Sequence, residues 1–272
     1  VTLPQENLIS NQDYHRDPAV SASHLHAVSK SPWTYYKRFI DPDRPTSKPT
    51  QAMKIGTFTH VAVLEPNELQ GRYAVIESRT TKAGKDKIAA LEQRGIEPVT
   101  QTEYDTVMHM ADAVRANADA AWLLSEGEAE RSLWWDDTSY STPLTCKCRP
   151  DWWNDDIVVD LKTTKDASPK GFAKSCATFR YHVQQMHYMR GTRCKKFIFI
   201  AVEKEYPYNV GVYELDQEAA ILGEQLRDGN MRTIAICKKN NAWPTFSKKP
   251  LALPRWAFYD EHTPDDFPGL TF

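Results

Sequence analysis

The stretch Arg149-Pro-Asp-Trp-Trp-Asn-Asp-Asp-Ile-Val-Val-Asp-Leu-Lys162 carries two carboxylates and an amine at spacings that can do chemistry. The β-branched run at Ile157 predicts a strand over 157–161, and 144–153 reads as the strand before it. The polar turn Asn154-Asp155-Asp156 joins them. With the turn centred on Asp155 and Asp156, residue 154 pairs with 157 and 151 with 160. Asp151 and Asp160 then stand opposite each other on one face, Cβ atoms roughly 5 Å apart. Lys162, two residues on, points to that same face. Two carboxylates this close repel, and a divalent cation between them removes the cost. Hard Mg²⁺ takes carboxylate and carbonyl oxygens and keeps several waters for a substrate. The neighbouring lysine, whose pKa moves readily, can hold or deprotonate a water. The spacing points to metal-assisted hydrolysis of a phosphodiester. A surface hairpin with acid–base pairs would look similar on this stretch alone.

Two further elements stand in the same chain. Gly56-Thr-Phe-Thr-His60 puts a glycine one helical turn before a histidine. Gly56 would let another backbone come close, and His60 could ligate a metal. Gln184 and Tyr188 fall on one helical face, where they could orient the lysine or contact a phosphate. Taken singly, each of these is more often ordinary packing.

In order, Gly-x-x-x-His, Arg-Pro-Asp, Asp-x-Lys-Thr-Thr and Gln-x-x-x-Tyr resemble the signature of RecB-like PD-(D/E)xK nucleases. The closer resemblance is to the RecE (exodeoxyribonuclease VIII) family. It rests on Arg180-Tyr-His-Val-Gln184, Cys148-Arg-Pro-Asp151, Leu253-Pro-Arg-Trp256, Ser21-Ala-Ser23-x-Leu25 and Ser31-Pro32. That resemblance implies a restriction-endonuclease-like α/β core, a central mixed sheet flanked by helices. It implies that His60, Asp151, Asp160 and the Leu161 carbonyl hold Mg²⁺, with Mn²⁺ as a substitute. Lys162 would activate the attacking water, and Gln184 and Tyr188 would complete the site. Either Glu128 or Glu130 could add a carboxylate. The implied activity is exonucleolytic hydrolysis of duplex DNA, 5′ to 3′, leaving 3′ single strands for recombination by annealing. Similar enzymes form rings around DNA and work with a RecT-like annealing protein. The alternatives are an endonuclease of the same superfamily and an inactive DNA-binding homologue. An iron–sulfur nuclease would need a C-terminal cysteine set, and only Cys237 lies near that end.

Composition fits this reading without deciding it. The chain has 272 residues, 41% hydrophobic and 26% charged, which suits one large domain. The expected division is an N-terminal helical part at about 20–125 and a catalytic core at about 126–260. Net charge is −2, so the whole chain is not a basic DNA glove. Locally, Leu161 to Glu205 holds ten Lys or Arg against three acids, a balance that suits a phosphate backbone. Lys82, Lys85 and Arg180 are candidate DNA contacts. The five scattered cysteines do not form a disulfide framework, and Cys146 and Cys148 read as buried small side chains. No apolar run is long enough to span a membrane and no signal peptide is evident, so a cytoplasmic bacterial or phage-encoded protein is expected.

The elements that must position these residues follow from pattern. A helical unit over 20–40 restarts at Ser31-Pro32, and a second helix runs over 53–64. Residues 79–87 read as an exposed basic loop, and a helix opens at Thr102. Strands are expected at 131–135, 196–203 and 209–215. Helices are expected over 168–188 and 217–237, with a tail over 250–272.

Overall fold

The structure, a computed structural model, describes residues 4–6, 9–45, 49–154 and 156–254. The turn residue Asp155, and Arg255 and Trp256 of the C-terminal motif, lie outside the described residues, as does the tail from 255 onward.

The chain opens with β1 (Gln5–Glu6) and α1 (Asn11–Arg16). The 20–40 unit divides into α2 (Ala22–Val28), capped by Ser21, and α3 (Pro32–Phe39), capped by Ser31 with proline in its first turn. α4 (Gln51–Leu64) begins at the Thr50 cap and ends before Glu65-Pro66. Then come α5 (Leu69–Arg72), β2 (Tyr73–Ile76), α6 (Lys82–Gln93) and β3 (Glu97–Thr100). α7 (Gln101–Ala116) and α8 (Ala118–Leu123) complete the helical half.

The expected loop over 79–87 is corrected here. From Lys82 it is helix α6, because the Thr81 hydroxyl accepts from the Gly84 N–H and good helix formers follow. Gly84 packs so closely on the Ser78 carbonyl that a Cβ would lie 1.9 Å from its oxygen.

The rest of the chain builds the sheets. β4 (Glu128–Ala129), β5 (Leu133–Asp137), β6 (Leu144–Cys148), β7 (Trp152–Trp153) and β8 (Ile157–Thr164) precede α9 (Pro169–Phe179) and α10 (Tyr181–Thr192). β9 (Lys196–Glu203), β10 (Val210–Tyr213) and α11 (Gln217–Asn240) follow. The central sheet runs β10-β9-β8-β7-β4, with β8 and β9 parallel and the other pairs antiparallel. It is a mixed sheet flanked by helices, the restriction-endonuclease-like α/β architecture.

Two expected elements are each broken in two. The strand over 144–153 splits at Arg149-Pro150-Asp151, since proline cannot donate to a ladder. β6 pairs with β5 in a three-stranded sheet, and β7 joins the central one. The helix over 168–188 breaks at Arg180, whose φ of 61° ends α9 and starts α10.

Alternation along β8 and β9 gives the central sheet two apolar faces. Val158, Phe197, Phe199 and Ala201 pack with Phe172, Val183 and Ile234. Val159, Leu161, Ile200 and Val202 pack with Phe58, Val61 and Val107 of α4 and α7. Each Val, Leu, Ile or Phe among them contributes about 1.5–3 kcal/mol on leaving water, so β8 is clamped from both sides. Asp160 and Lys162 share the strand period of Val158.

Candidate metal centre

The hairpin of β7 and β8 pairs Trp152 with Val159 and Trp153 with Val158, a register that continues to Asp151 opposite Asp160. Beyond Trp152 the backbone turns away at Pro150, and the Asp151 side chain takes over the ladder's role. Its Oδ2 accepts from the Leu161 N–H at 2.7 Å. N–H and C=O of one strand residue face the same edge, so the Leu161 carbonyl is directed to this side too. The second oxygen, Oδ1, lies 3.6 Å from Nδ1 of His60 on α4.

Glu130 enters just after β4. Its N–H donates to the Asp151 carbonyl at 3.2 Å. Its φ is 55°, a left-handed conformation that non-glycine residues adopt at a cost. His60, Glu130 and Asp151 bring one ligand atom each to within 4.8 Å of one another. Of the two glutamates left open by sequence, Glu130 joins the site. Glu128 is exposed and lies 3.6 Å from the Arg131 guanidinium.

Asp160 is fully buried, and its carboxylate is held from two sides. The Lys162 ammonium forms an ion pair with Oδ1, and Gln184 Nε2 donates to Oδ2 at 2.5 Å. Gln184 therefore orients the aspartate rather than the lysine. The Lys162 ammonium also sits 4.8 Å from the Tyr181 ring centroid. Tyr188, one turn beyond Gln184, lines the same cleft as His60, Glu130 and Lys162, a cavity of about 840 Å³. Burial first, then nearby Tyr14 and Asp160, hold its phenol well above the usual range, so it is a neutral O–H donor.

Electrostatics mark the cluster as short of positive charge. Burial first, and the charge of Asp151 second, push the Glu130 carboxyl up to about 8. Burial pushes Asp160 up to about 6, against the opposing pull of Lys162. For Lys162, burial lowers the pKa, but Asp160 and Asp151 outweigh it and the net direction is upward. The Asp160 carboxylate thus holds Lys162 as an ammonium, placed to donate to a water. An imidazole nitrogen and two carboxylates fit a small divalent cation, which would supply the missing charge.

Other sequence candidates fall elsewhere. The Arg180 guanidinium lines a separate cavity of about 290 Å³ with Ser23, His26, Gln184 and Tyr188. Its Nε and Nη2 are buried without a hydrogen-bond partner among the described residues. Lys82 and Lys85 are exposed on α6. Gly56 does not admit a close backbone: a Cβ there would meet only Thr163 Oγ1, at 3.8 Å. Sequence reading missed Tyr14, His15, Arg149 and Arg72, all of which line the main cleft. The signal for Arg149 was its place beside Pro150-Asp151; the others carried none.

Comparison with known proteins places the domain. The family described as "PDDEXK-like domain of unknown function (DUF3799)" matches residues 21–250. No curated protein matches the chain. Among solved structures, a "Putative exonuclease" from Eubacterium rectale is similar at TM-score 0.64 and 13% identity, covering 90% of this chain and 96% of that one. A "phage related exonuclease" from Haemophilus somnus overlaps at TM-score 0.35 and 11% identity, covering 82% of this chain and 96% of that one. The first likeness is one of fold.

Proposed function

Because the chain belongs, over residues 21–250, to the PDDEXK-like domain family DUF3799, we propose that it is a metal-dependent DNA exonuclease. The observation that carries this reading is the convergence of His60, Glu130 and Asp151, the first two of which line one cleft with Lys162. Such a set suits hydrolysis of a phosphodiester, in which charge builds on phosphoryl oxygens and a water must be aimed.

His60, Glu130 and Asp151 would hold Mg²⁺, or Mn²⁺ in its place, with Asp160 and the Leu161 carbonyl on the β8 side. The bound cation supplies positive charge to the phosphoryl oxygens of the substrate. Lys162 holds the attacking water by donating to it. The proton that this water gives up passes to the leaving oxygen of the phosphodiester, and the Lys162–Asp160 ion pair keeps its charge throughout. Gln184 keeps Asp160 turned toward Lys162, and Tyr188 donates its hydroxyl into the cleft. Arg180, Lys82 and Lys85 would meet phosphates farther along the backbone.

In finer detail the chain is RecE-like. It degrades duplex from 5′ ends, leaves 3′ strands for a RecT-like annealing partner and works as a ring. The test is substrate topology. With Mg²⁺, linear duplex should be degraded, with nucleotides released from 5′ termini, while covalently closed circles survive. Rapid cutting of closed circles would make it an endonuclease instead, and loss of neither would make it an inactive homologue.

A further inference from the structure

The cleft has a wall that the family match does not include. Ile9, Asn11, Tyr14 and His15 line the same cavity as His60, Glu130 and Lys162, yet the match begins at residue 21. This segment is firmly pinned. Arg149, two residues before Asp151, donates to the Ile9 carbonyl at 3.2 Å and to Asn11 Oδ1 at 3.4 Å. Lys147 donates to the carbonyls of Tyr14 and Asp17. Both cations also lie on the Tyr14 ring, Lys147 Nζ at 4.5 Å and Arg149 Cζ at 4.2 Å from its centroid. Tyr14 is only 7% exposed and meets Trp134 edge-on. Upstream, β1 pairs with β5, Gln5 with Trp134 and Glu6 with Leu133.

Tyr14 is therefore an anchor, while Asn11 and His15 on either side of it stay exposed at the cleft. They are four residues apart on α1, so they share a helix face. With its Oδ1 taken by Arg149, Asn11 has its amide N–H₂ left to donate. The acids of the segment are engaged elsewhere: Asp13 accepts from Ser10, and Asp17 lies 3.8 Å from the Lys147 ammonium. The wall thus offers hydrogen-bond donors, backed by Arg149 and Lys147, to the cleft that His60, Glu130 and Lys162 also line. An anionic strand lying in that cleft would meet them.

We propose that residues 9–16 form a substrate strap, in which Asn11 and His15 hydrogen-bond to phosphates of the DNA strand in the cleft and Tyr14 positions them. The proposal rests on the nuclease reading above. The strap adds binding, not chemistry, so its signature is a split between KM and kcat.

Four proteins test it: the wild type, Asn11→Ala/His15→Ala, Tyr14→Ala and Tyr14→Phe. Each is assayed on end-labelled linear duplex with Mg²⁺, by anisotropy of labelled duplex with Ca²⁺, and by Mn²⁺ calorimetry. The double variant should raise KM and Kd about tenfold, the scale of one or two lost hydrogen bonds to charged groups, with kcat and Mn²⁺ affinity unchanged. Tyr14→Ala should do the same, and Tyr14→Phe, which keeps the ring under both cations, should behave as wild type. Unchanged KM and Kd in the double variant would reduce the strap to a structural brace and overturn the proposal. A loss of Mn²⁺ affinity in that variant would overturn it too. If the wild type binds DNA without cutting it, the nuclease reading fails and the strap is judged on Kd alone. If the wild type binds no DNA, both fall.

Discussion

Glu130 and Asp160 are carboxyls held above their ordinary range, to about 8 and about 6 respectively. A cation accepts only the ionised forms, so its binding must release protons. Mn²⁺ titration at about pH 7 in buffers of different ionisation enthalpy should report about one proton released, with affinity rising from about pH 6 to 8. Glu130→Gln should abolish most of that release; an unchanged proton count in this variant would contradict the assignment. The same shift governs stability. Between 4.5 and about 8 the folded Glu130 keeps a proton that the unfolded chain has lost, so metal-free stability falls as pH rises through that window. Lys162→Ala separates chemistry from binding. Metal affinity should persist or tighten, since a neighbouring cation is removed, while single-turnover cleavage falls by roughly two to four orders of magnitude. Near-normal turnover would make Asp160-Leu-Lys162 an accidental tripeptide. Asp151, Asp160 and Lys162 were legible in the sequence because a two-residue period and a short polar turn fix which side chains share a face. Glu130 was not, because its entry depends on a left-handed backbone and a bond to the Asp151 carbonyl that no local pattern encodes.

Local chemistry also decided which elements could be read. Ser21 and Ser31 cap the helices that their patterns announced, while Thr50 and Thr100 start the helices read from 53 and 102 one or two residues earlier. The cap at Thr81 was equally available, but the basic, glycine-containing run after it reads as a loop. The break at Pro150 follows from proline's missing donor, whereas the break at Arg180 is set by tertiary context: arginine is no habitual helix terminator. Gly56 tests the α4 face of the site. A methyl there meets nothing closer than 3.8 Å and removes glycine's backbone freedom within a helix. Gly56→Ala should therefore stabilise the metal-free protein by about 0.5–1 kcal/mol in urea unfolding. Its methyl enters the cleft, so KM for DNA should rise. A destabilised variant would mean that α4 packs more tightly on β8 than the structure has it. Gly127 is the converse case. Its φ is 137° and a Cβ would stand 2.6 Å from Trp152 Nε1, so Gly127→Ala should displace β4 and with it Glu130. Weakened Mn²⁺ binding would register that; unaltered affinity would separate β4 from the metal site.

Across the whole molecule, the central sheet acts as a partition. α4 brings His60 from one face, and β8 with α10 brings Asp160, Lys162 and Gln184 on the other. Asp151 and Glu130 close the gap where β4 ends and β7 begins. This explains how the motifs at 56–60, 149–164 and 184–188 come to lie close together, though the first and last, taken singly, read as packing. The mixed sheet followed from the order of helices and strands. The three-stranded sheet of β1, β5 and β6 did not, because β1 is only two residues long and its partner β5 lies far along the chain, beyond the whole helical half. That sheet carries the N-terminal wall, so the least legible part of the fold shapes the substrate side of the cleft. The central claim is that this cleft hydrolyses DNA with a divalent cation held by His60, Glu130 and Asp151. It is tested most directly by incubating linear duplex with the purified chain and its Asp151→Ala variant, each with Mg²⁺ and with excess chelator. Degradation only by the unsubstituted chain, and only with Mg²⁺, is the predicted result; equal degradation in chelator, or by the variant, would contradict it.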